Sequence, residues 1–287
     1  MVRCPLGNHH DGPDTLLVTS ETTSETTSET TSERTSEATS ETARTDPVTD
    51  GTEEVPYALR DLIARTRVVL WDFDGPVCRL FAGHSAQRVA GDLVAWLEGR
   101  GLHGLLTAAE RECPDPHVVL RAVDRRHPGS ELVAELEEHL TREELRAASS
   151  AMPTPYADPL IRTWRARGCR LAITTNNSPP AVHGYLLGRG LTSCFAPHVY
   201  GRTRNLQLMK PDPDCLDRAL RAMDAAPSTA LMIGDTPTDH EAARRAGVPF
   251  LGYARNQRKE ALLRDAGAAL VVSSLEPVLT LVRKPVT

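Results

Sequence analysis

Six short apolar runs, separated by stretches of helical periodicity, constrain this chain more than any other feature. They are "RVVLWDF" (67–73), "CRLAITT" (169–175), "HVYG" (198–201), "ALMIGD" (230–235), "VPFLGYA" (248–254) and "ALVVSS" (269–274). Each is rich in apolar residues with little alternation, the pattern of a strand buried on both faces. The stretches 178–189, 212–224, 238–246, 256–266 and 274–283 read as helices. Pro211 and Pro213 stand where a first helical turn begins, and Gly247 follows the last residue of its helix. Strands alternating with helices predict an α/β fold: a parallel sheet with helices on both faces. In such sheets a ligand sits beyond the carboxyl ends of the strands. Asp72, Thr175 and Asp235 all fall at such ends.

Residues 82–156 break the rhythm and show helical periodicity throughout. "SAQRVAGDLVAWLEGRG" puts Val89, Leu93, Trp96 and Leu97 on one stripe. "DPHVVLRAVDRRHPG" follows, then "SELVAELEEHLTREELRAA", with Leu132, Leu136, Leu140 and Leu145 on an apolar face. Gly129 separates the last two helices and Ser130 reads as an N-cap. The organisation expected is an α/β core of residues 56–81 and 157–287, with an all-helical cap, 82–156, inserted after the first strand. A helical bundle beside a ligand crevice acts as a lid.

Ahead of the core, residues 20–43 read SETT SETT SETT SERT SEAT SETA. So little apolar surface does not offset the entropy of ordering, and residues 1–55 read as a disordered, low-complexity tail whose partner, if any, the sequence does not name. Cys4, His9 and His10 are three weak metal-ligand candidates within it. Residues 1–54 hold twelve acids against three bases, a balance of −9, so the rest of the chain carries +4 of the formal −5. A mildly basic body suits a small anion and falls short of the basic stripe that nucleic acid requires. No apolar run reaches the roughly 20 residues of a membrane span. The N-terminus lacks the apolar segment of a secretory signal, and the six cysteines form no CxxC pair, which reads as reduced thiols in a cytoplasmic protein.

Four local signals then fall in order at strand ends or loops: "DFDGPV" (72–77), "ITTNN" (173–177), "MKPDP" (209–213) and "GDTPTD" (234–239). Each alone is ordinary: a turn with solvated acids, a polar turn, a surface lysine, a helix cap. Together, on one edge of one parallel sheet, they resemble the four motifs of the haloacid dehalogenase superfamily, specifically its phosphatase branch with a helical cap (phosphoglycolate phosphatase-like or β-phosphoglucomutase-like). The resemblance runs from about residue 66 to the C-terminus and implies a Rossmann-like core.

What such chemistry needs can be matched to residues. Unaided hydrolysis of a phosphate monoester is so slow that an enzyme supplies on the order of 20 kcal/mol. A carboxylate nucleophile divides the step in two through an acyl phosphate, and Asp72 takes that role. Asp74, two residues on, is the general acid and then base. Carboxylates and a phosphate dianion repel unless a cation lies among them, and oxygen ligands fit Mg²⁺. The resemblance implies Asp72 and Asp235 as side-chain ligands and Asp74 as a main-chain carbonyl ligand. Asp239, one helical turn beyond Asp235, positions the metal's waters or Lys210. Lys210, Thr175 and Asn176 bind the phosphoryl group. Thr174 competes with Thr175, and the resemblance selects the Thr directly before the Asn. Main-chain N–H groups of Phe73–Gly75 add donors, and Gly75 permits close backbone approach. The dehalogenases of the superfamily lack an acid two residues after the nucleophile, so Asp74 favours phosphoryl transfer.

Candidates for substrate choice are Arg79, His84 and the cluster Arg125, Arg126 and His127, with small phosphorylated metabolites as the substrate pool. A phosphomutase acting on a sugar phosphate is the alternative, and a non-catalytic binding protein of the same fold is a third reading. Every motif residue lies after Val68, so the tail is expected to add nothing to catalysis. A chain shortened to begin at Val55 should fold, bind Mg²⁺ and keep kcat within about twofold of full length, or about 0.4 kcal/mol. Any KM change should vanish at high salt, because the tail acts only through its charge. A tenfold fall in kcat that persists at high salt would place the tail in the machinery.

Overall fold

The computed structural model describes residues 56–284, so the tail reading and the Cys4, His9 and His10 group lie outside the described residues. The chain opens with α1 (Tyr57–Arg65), β1 (Val68–Trp71) and β2 (Cys78–Arg79). Four helices follow: α2 (Ala86–Glu98), α3 (Ala108–Arg111), α4 (Pro116–Arg126) and α5 (Glu131–Ser150). Then come β3 (Met152–Pro153), α6 (Ala157–Ala166), β4 (Arg170–Thr174), α7 (Pro179–Gly188), α8 (Thr192–Phe195) and β5 (Val199–Tyr200). The rest alternates: α9 (Asp214–Ala222), β6 (Ala230–Gly234), α10 (Pro237–Ala246), β7 (Phe250–Tyr253), α11 (Gln257–Asp265), β8 (Val271–Val272) and α12 (Glu276–Arg283).

Each of the six apolar runs contains a strand, and the six form one sheet in the order β5-β4-β1-β6-β7-β8. All of its pairings are parallel. The two-residue period of a strand explains why β1 is apolar throughout. Val69 and Trp71 face α1, α6 and α12, where the Trp71 and Trp164 rings meet edge to face at 5.7 Å. Val68 and Leu70 face α9 and α10 on the other side, against Leu216, Ala219 and Ala242. Register then positions the site. Trp71 is level with Ile173 of β4 and Ile233 of β6, so Asp72, Thr174 and Gly234 stand level with one another at the carboxyl edge of the sheet.

The helical stretch begins and ends at a small antiparallel pair, with Cys78 opposite Pro153 and Arg79 opposite Met152. Ser85, Asp115 and Ser130 cap α2, α4 and α5 through their side-chain oxygens, and Gly129 (φ 66°) makes the turn between α4 and α5. The apolar cluster on one sheet face continues without a break into Leu93, Leu97, Leu120, Leu136 and Leu140 of these helices. The stripe predicted for α5 fails at its end, because Leu145 is 41% exposed. Five residues past Leu140 is about 140° around a helix, off the stripe. The inward positions there are Glu143, Glu144 and Ala147. Among the described residues, Cys78, Cys169, Cys194 and Cys215 are buried free thiols. Among the described residues no helix is long and apolar enough to cross a membrane.

The inward acid, Glu144, joins the helices to the sheet's loops. Its side chain and that of Arg202, in the loop after β5, are both fully buried. Arg202 donates to Glu144 Oε1 at 2.9 Å and Oε2 at 3.0 Å, to Glu137 Oε1 at 3.0 Å and to the Asn176 carbonyl at 3.0 Å. Glu144 also accepts from Asn177 Nδ2 at 3.1 Å and from the Ser178 amide at 2.9 Å, and His117 Nε2 lies 3.2 Å away. Burial alone would raise the Glu144 pKa, but Arg202 and the His117 hydrogen bond hold it well below the ordinary carboxylate range. Because the folded value is depressed, this stabilisation is complete above about pH 4.5 and drains away as pH falls below it. Glu144→Gln leaves a buried guanidinium with Glu137 alone, and should cost about 3 kcal/mol by urea denaturation at neutral pH. The variant should also lose less stability than wild type on acidification. A cost under about 0.5 kcal/mol would mean that the pair does not hold the helices in place.

Candidate active site

Lys210 Nζ occupies the centre of the carboxyl edge and is shielded from solvent, at 2% exposure. It donates to Asp72 Oδ1 at 2.7 Å, to the Thr174 carbonyl at 2.9 Å and to Asp239 Oδ1. Its backbone is clamped by Asn176, whose Oδ1 accepts the Lys210 amide at 2.7 Å and whose Nδ2 donates to the Lys210 carbonyl at 3.2 Å. Asp239 is fixed in turn by a capping box at the start of α10: its Oδ2 accepts from the amides of Asp235 and Thr236 and from the Thr236 hydroxyl. Thr174 turns its hydroxyl into the core, toward Met232 Sδ at 3.4 Å. Thr175 lines the cavity, its hydroxyl bonded to Asn177 Oδ1 at 3.0 Å. The structure thus brings Asp72, Thr175, Asn176, Lys210 and Asp239 together.

Asp74 and Asp235 lie on the other flank of Asp72. The strand ends at Trp71, so the two acids of "DFDG" diverge: Asp74 Oδ1 accepts the Leu80 amide at 2.9 Å. The Gly75 amide, expected to serve a phosphate, donates instead to the Cys78 carbonyl at 2.6 Å. Gly75 (φ 126°) is required for space, because a Cβ there would lie 2.3 Å from Asp235 Cγ. Lys259, in the first turn of α11, donates to Asp235 Oδ2. Sequence reading missed it, although the helix after β7 must start at this same edge.

Burial pushes the Asp72 carboxyl up to about 7, with Asp239 adding to the rise and Lys210 opposing it. Burial, then Asp235, pushes Asp74 up to about 7. Asp235 rises by burial against the pull of Lys259. Burial works against the Lys210 charge, yet Asp239 and Asp72 hold its pKa above that of an ordinary lysine. Positive charge is therefore short at this edge, which a divalent cation would supply. Carboxylate oxygens of Asp72, Asp235 and Asp239 lie within 4.8 Å of one another. Asp235 Oδ1 is buried with no hydrogen-bond partner among the described residues. An all-oxygen donor set with an unsatisfied carboxylate oxygen fits a hard divalent cation such as Mg²⁺.

A cavity of about 570 Å³ opens above Asp72 and Lys210. Its far wall is built by Glu110, Asp115, His117, Val118, Arg121 and Arg125. Of the five residues expected to choose substrate, only Arg125 lines it. Arg126, 100° further round α4, turns away to donate to Glu110 Oε2 at 2.8 Å and the Ala122 carbonyl at 2.8 Å. His84 pairs with Glu143 at 2.8 Å, and Arg79 in β2 lies within electrostatic reach of Tyr253. His127 is exposed at the end of α4. Sequence reading missed His117 and Arg121. Their signal is the four-residue spacing to Arg125, which puts all three on one face of α4.

Residues 66–247 match the haloacid dehalogenase-like hydrolase family. Over 105 residues the chain is 38% identical to the phosphoglycolate phosphatase of Rhodospirillum rubrum, covering 35% of this chain and 43% of that protein. Over 107 residues it is 36% identical to the phosphoserine phosphatase of Thermus thermophilus, covering 37% and 42%. The chain thus spans less than half the length of each of these relatives. The crystal structure of CbbY from Rhodobacter sphaeroides in complex with phosphate has the same fold, with a TM-score of 0.54 at 22% identity, covering 73% of this chain and 94% of that one. With well over half of its residues matched by the family, from the strand that carries Asp72 to the helix that carries Asp239, the chain belongs to the haloacid dehalogenase-like hydrolases.

Proposed function

We propose that the protein is a phosphatase that hydrolyses a small phosphate monoester through an aspartyl-phosphate at Asp72, with Mg²⁺ as cofactor. The observation that carries this reading is the contact of Lys210 Nζ with Asp72 Oδ1, 2.7 Å, at the floor of a cavity wide enough for a small ester. Asp72 attacks phosphorus, and the ester oxygen leaves. Asp74, whose pKa burial pushes up to about 7, gives that oxygen a proton and later withdraws one from the attacking water. Lys210 holds the phosphoryl oxygens as a point charge, and the Thr175 hydroxyl adds a hydrogen bond. Asn176 keeps Lys210 in register, and Asp239 holds its ammonium toward Asp72. Mg²⁺ held by Asp72, Asp235 and the Asp74 main-chain carbonyl would supply the charge that lets carboxylates and a phosphate dianion share one site. The helices of residues 82–156 serve as the cap over that site, and the names of the two phosphatase relatives favour a small phosphorylated metabolite as substrate.

Asp72→Asn keeps the shape of the side chain and removes the nucleophile. It should lower phosphate release across a panel of phosphorylated metabolites by at least about a thousandfold. The raised Asp72 pKa means that its ionised form is held at a cost above the ordinary value of 3.8, so the metal-free variant should melt no lower than wild type. Release of inorganic phosphate with no isomerised sugar phosphate separates hydrolysis from the phosphomutase alternative. Equal phosphate release by wild type and Asp72→Asn would sink the reading.

A further inference from the structure

Helix α4 presents His117, Arg121 and Arg125 at four-residue spacing, and all three line the cavity opposite Asp72 and Lys210. Two are already engaged. His117 Nε2 lies against Glu144 at 3.2 Å, and Arg125 donates to Glu110 Oε1 at 2.7 Å. Arg121 differs. Among the described residues its hydrogen bond is a single donation from Nη1 to the Lys210 carbonyl at 3.2 Å, and it forms no ion pair. Neither acid of the cavity wall pairs with it: burial and Arg125 work against its charge, and Asp115 offsets them only in part and from a distance. Glu110 accepts from Arg125, Arg126 and the Thr107 amide, and Asp115 caps α4 by accepting the His117 amide at 2.9 Å. A half-buried guanidinium with no ion-pair partner in contact is costly unless an anion arrives to match it.

We infer that Arg121 binds a second anionic group, carried by the alcohol part of the substrate, so that the protein selects phosphate monoesters bearing a carboxylate or another phosphate a short chain away. This rests on the phosphatase reading for its chemistry. The spacing follows from Lys210: its carbonyl touches Arg121 while its ammonium touches Asp72, so roughly one lysine side chain separates the two cations. The planar fork of a guanidinium matches a carboxylate or a phosphate with paired hydrogen bonds. Arg125, held by Glu110 one turn along the helix, continues the cationic wall.

The test is a calorimetric titration of the full chain, with Mg²⁺ present, using three inert phosphonates. Two carry a second anion, 3-phosphonopropionate and ethane-1,2-bisphosphonate, and propylphosphonate carries none. Wild type should bind at least one doubly anionic probe about tenfold or more tighter than propylphosphonate. Arg121→Met should bring that ratio close to one. Arg121→Lys, which keeps the charge and loses the fork, should fall between. The tighter of the two doubly anionic probes tells carboxylate from phosphate. A general loosening of the fold weakens all three probes alike and leaves the ratio unmoved. No preference in wild type, or an unchanged ratio in Arg121→Met, overturns the inference. A preserved preference in a protein that hydrolyses no ester would overturn the phosphatase reading and leave the anion site standing.

Discussion

A lysine ammonium cut off from solvent sets the terms for the rest of the site. Lys210 Nζ is bound by a side chain following β1, a carbonyl at the end of β4 and a side chain in α10. A buried charge is tolerated only when its partners are all in place, so these segments, distant in sequence, must end level with one another. The parallel register of β1 with β4 and β6 provides that. Lys259 does the same for Asp235 from the start of α11. Two ammonium groups still face four buried carboxylates, Asp72, Asp74, Asp235 and Asp239. Burial, with that imbalance added, raises the pKa values of Asp72, Asp74 and Asp235, and Asp235 Oδ1 has no hydrogen-bond partner among the described residues.

The loop after β4 is held from two sides. Asn176 clamps the Lys210 backbone, while the Asn176 carbonyl, Asn177 and Ser178 bind Arg202 and Glu144. Displacing α5 therefore pulls on the segment that carries Thr175. Any motion of the helices over the cavity reaches the segment of Thr175 and Asn176 through a buried ion pair, which breaks or holds and does not stretch gradually. The helices of residues 82–156 and the loops at the sheet's edge are linked at this point by position and by charge together.

Strands and their carboxyl ends were legible because a strand buried on both faces leaves an apolar run that little else produces. Two residues at those ends were legible for the same reason: Asp72 and Asp235 needed only the strand boundary and the direction of the sheet, whereas Thr175 over Thr174 rested on the resemblance to the family's motifs. Lys210 rested on the same resemblance, and Asp239 followed from its place one helical turn beyond Asp235. What sequence hid depends on contacts between segments. Leu145 continues an apolar pattern by composition while its angle around α5 faces solvent. Glu144 carries the sign of a surface residue and is buried because Arg202, 58 positions later, meets it. Arg126 and His84 looked like Arg121 and His117 by residue type, but only the latter two face the cavity, while Arg126 and His84 lie outside its lining against Glu110 and Glu143. No local pattern announces an ion pair across that distance, so charged residues on helices were assigned to the crevice by type where angle and partner decide.

The same bookkeeping of partners locates where specificity can arise. At the strand ends nearly every polar group is engaged: Asp239 by a capping box and Lys210, Asn176 by the Lys210 backbone, Thr175 by Asn177. Changing one of these to suit a different alcohol would unbalance a buried charge and cost the reaction itself. The wall formed by α4 has no such obligation. Its outer face can exchange a cation for a neutral or bulky side chain at a cost set by the helix alone, typically within about 0.5 kcal/mol for an exposed position. Arg121 stands between the two regimes. It is on the permissive wall, yet it touches the carbonyl of Lys210. A ligand group that satisfies Arg121 therefore also relieves an unmatched charge beside Lys210, so binding and alignment at the two ends of the substrate are coupled through one residue.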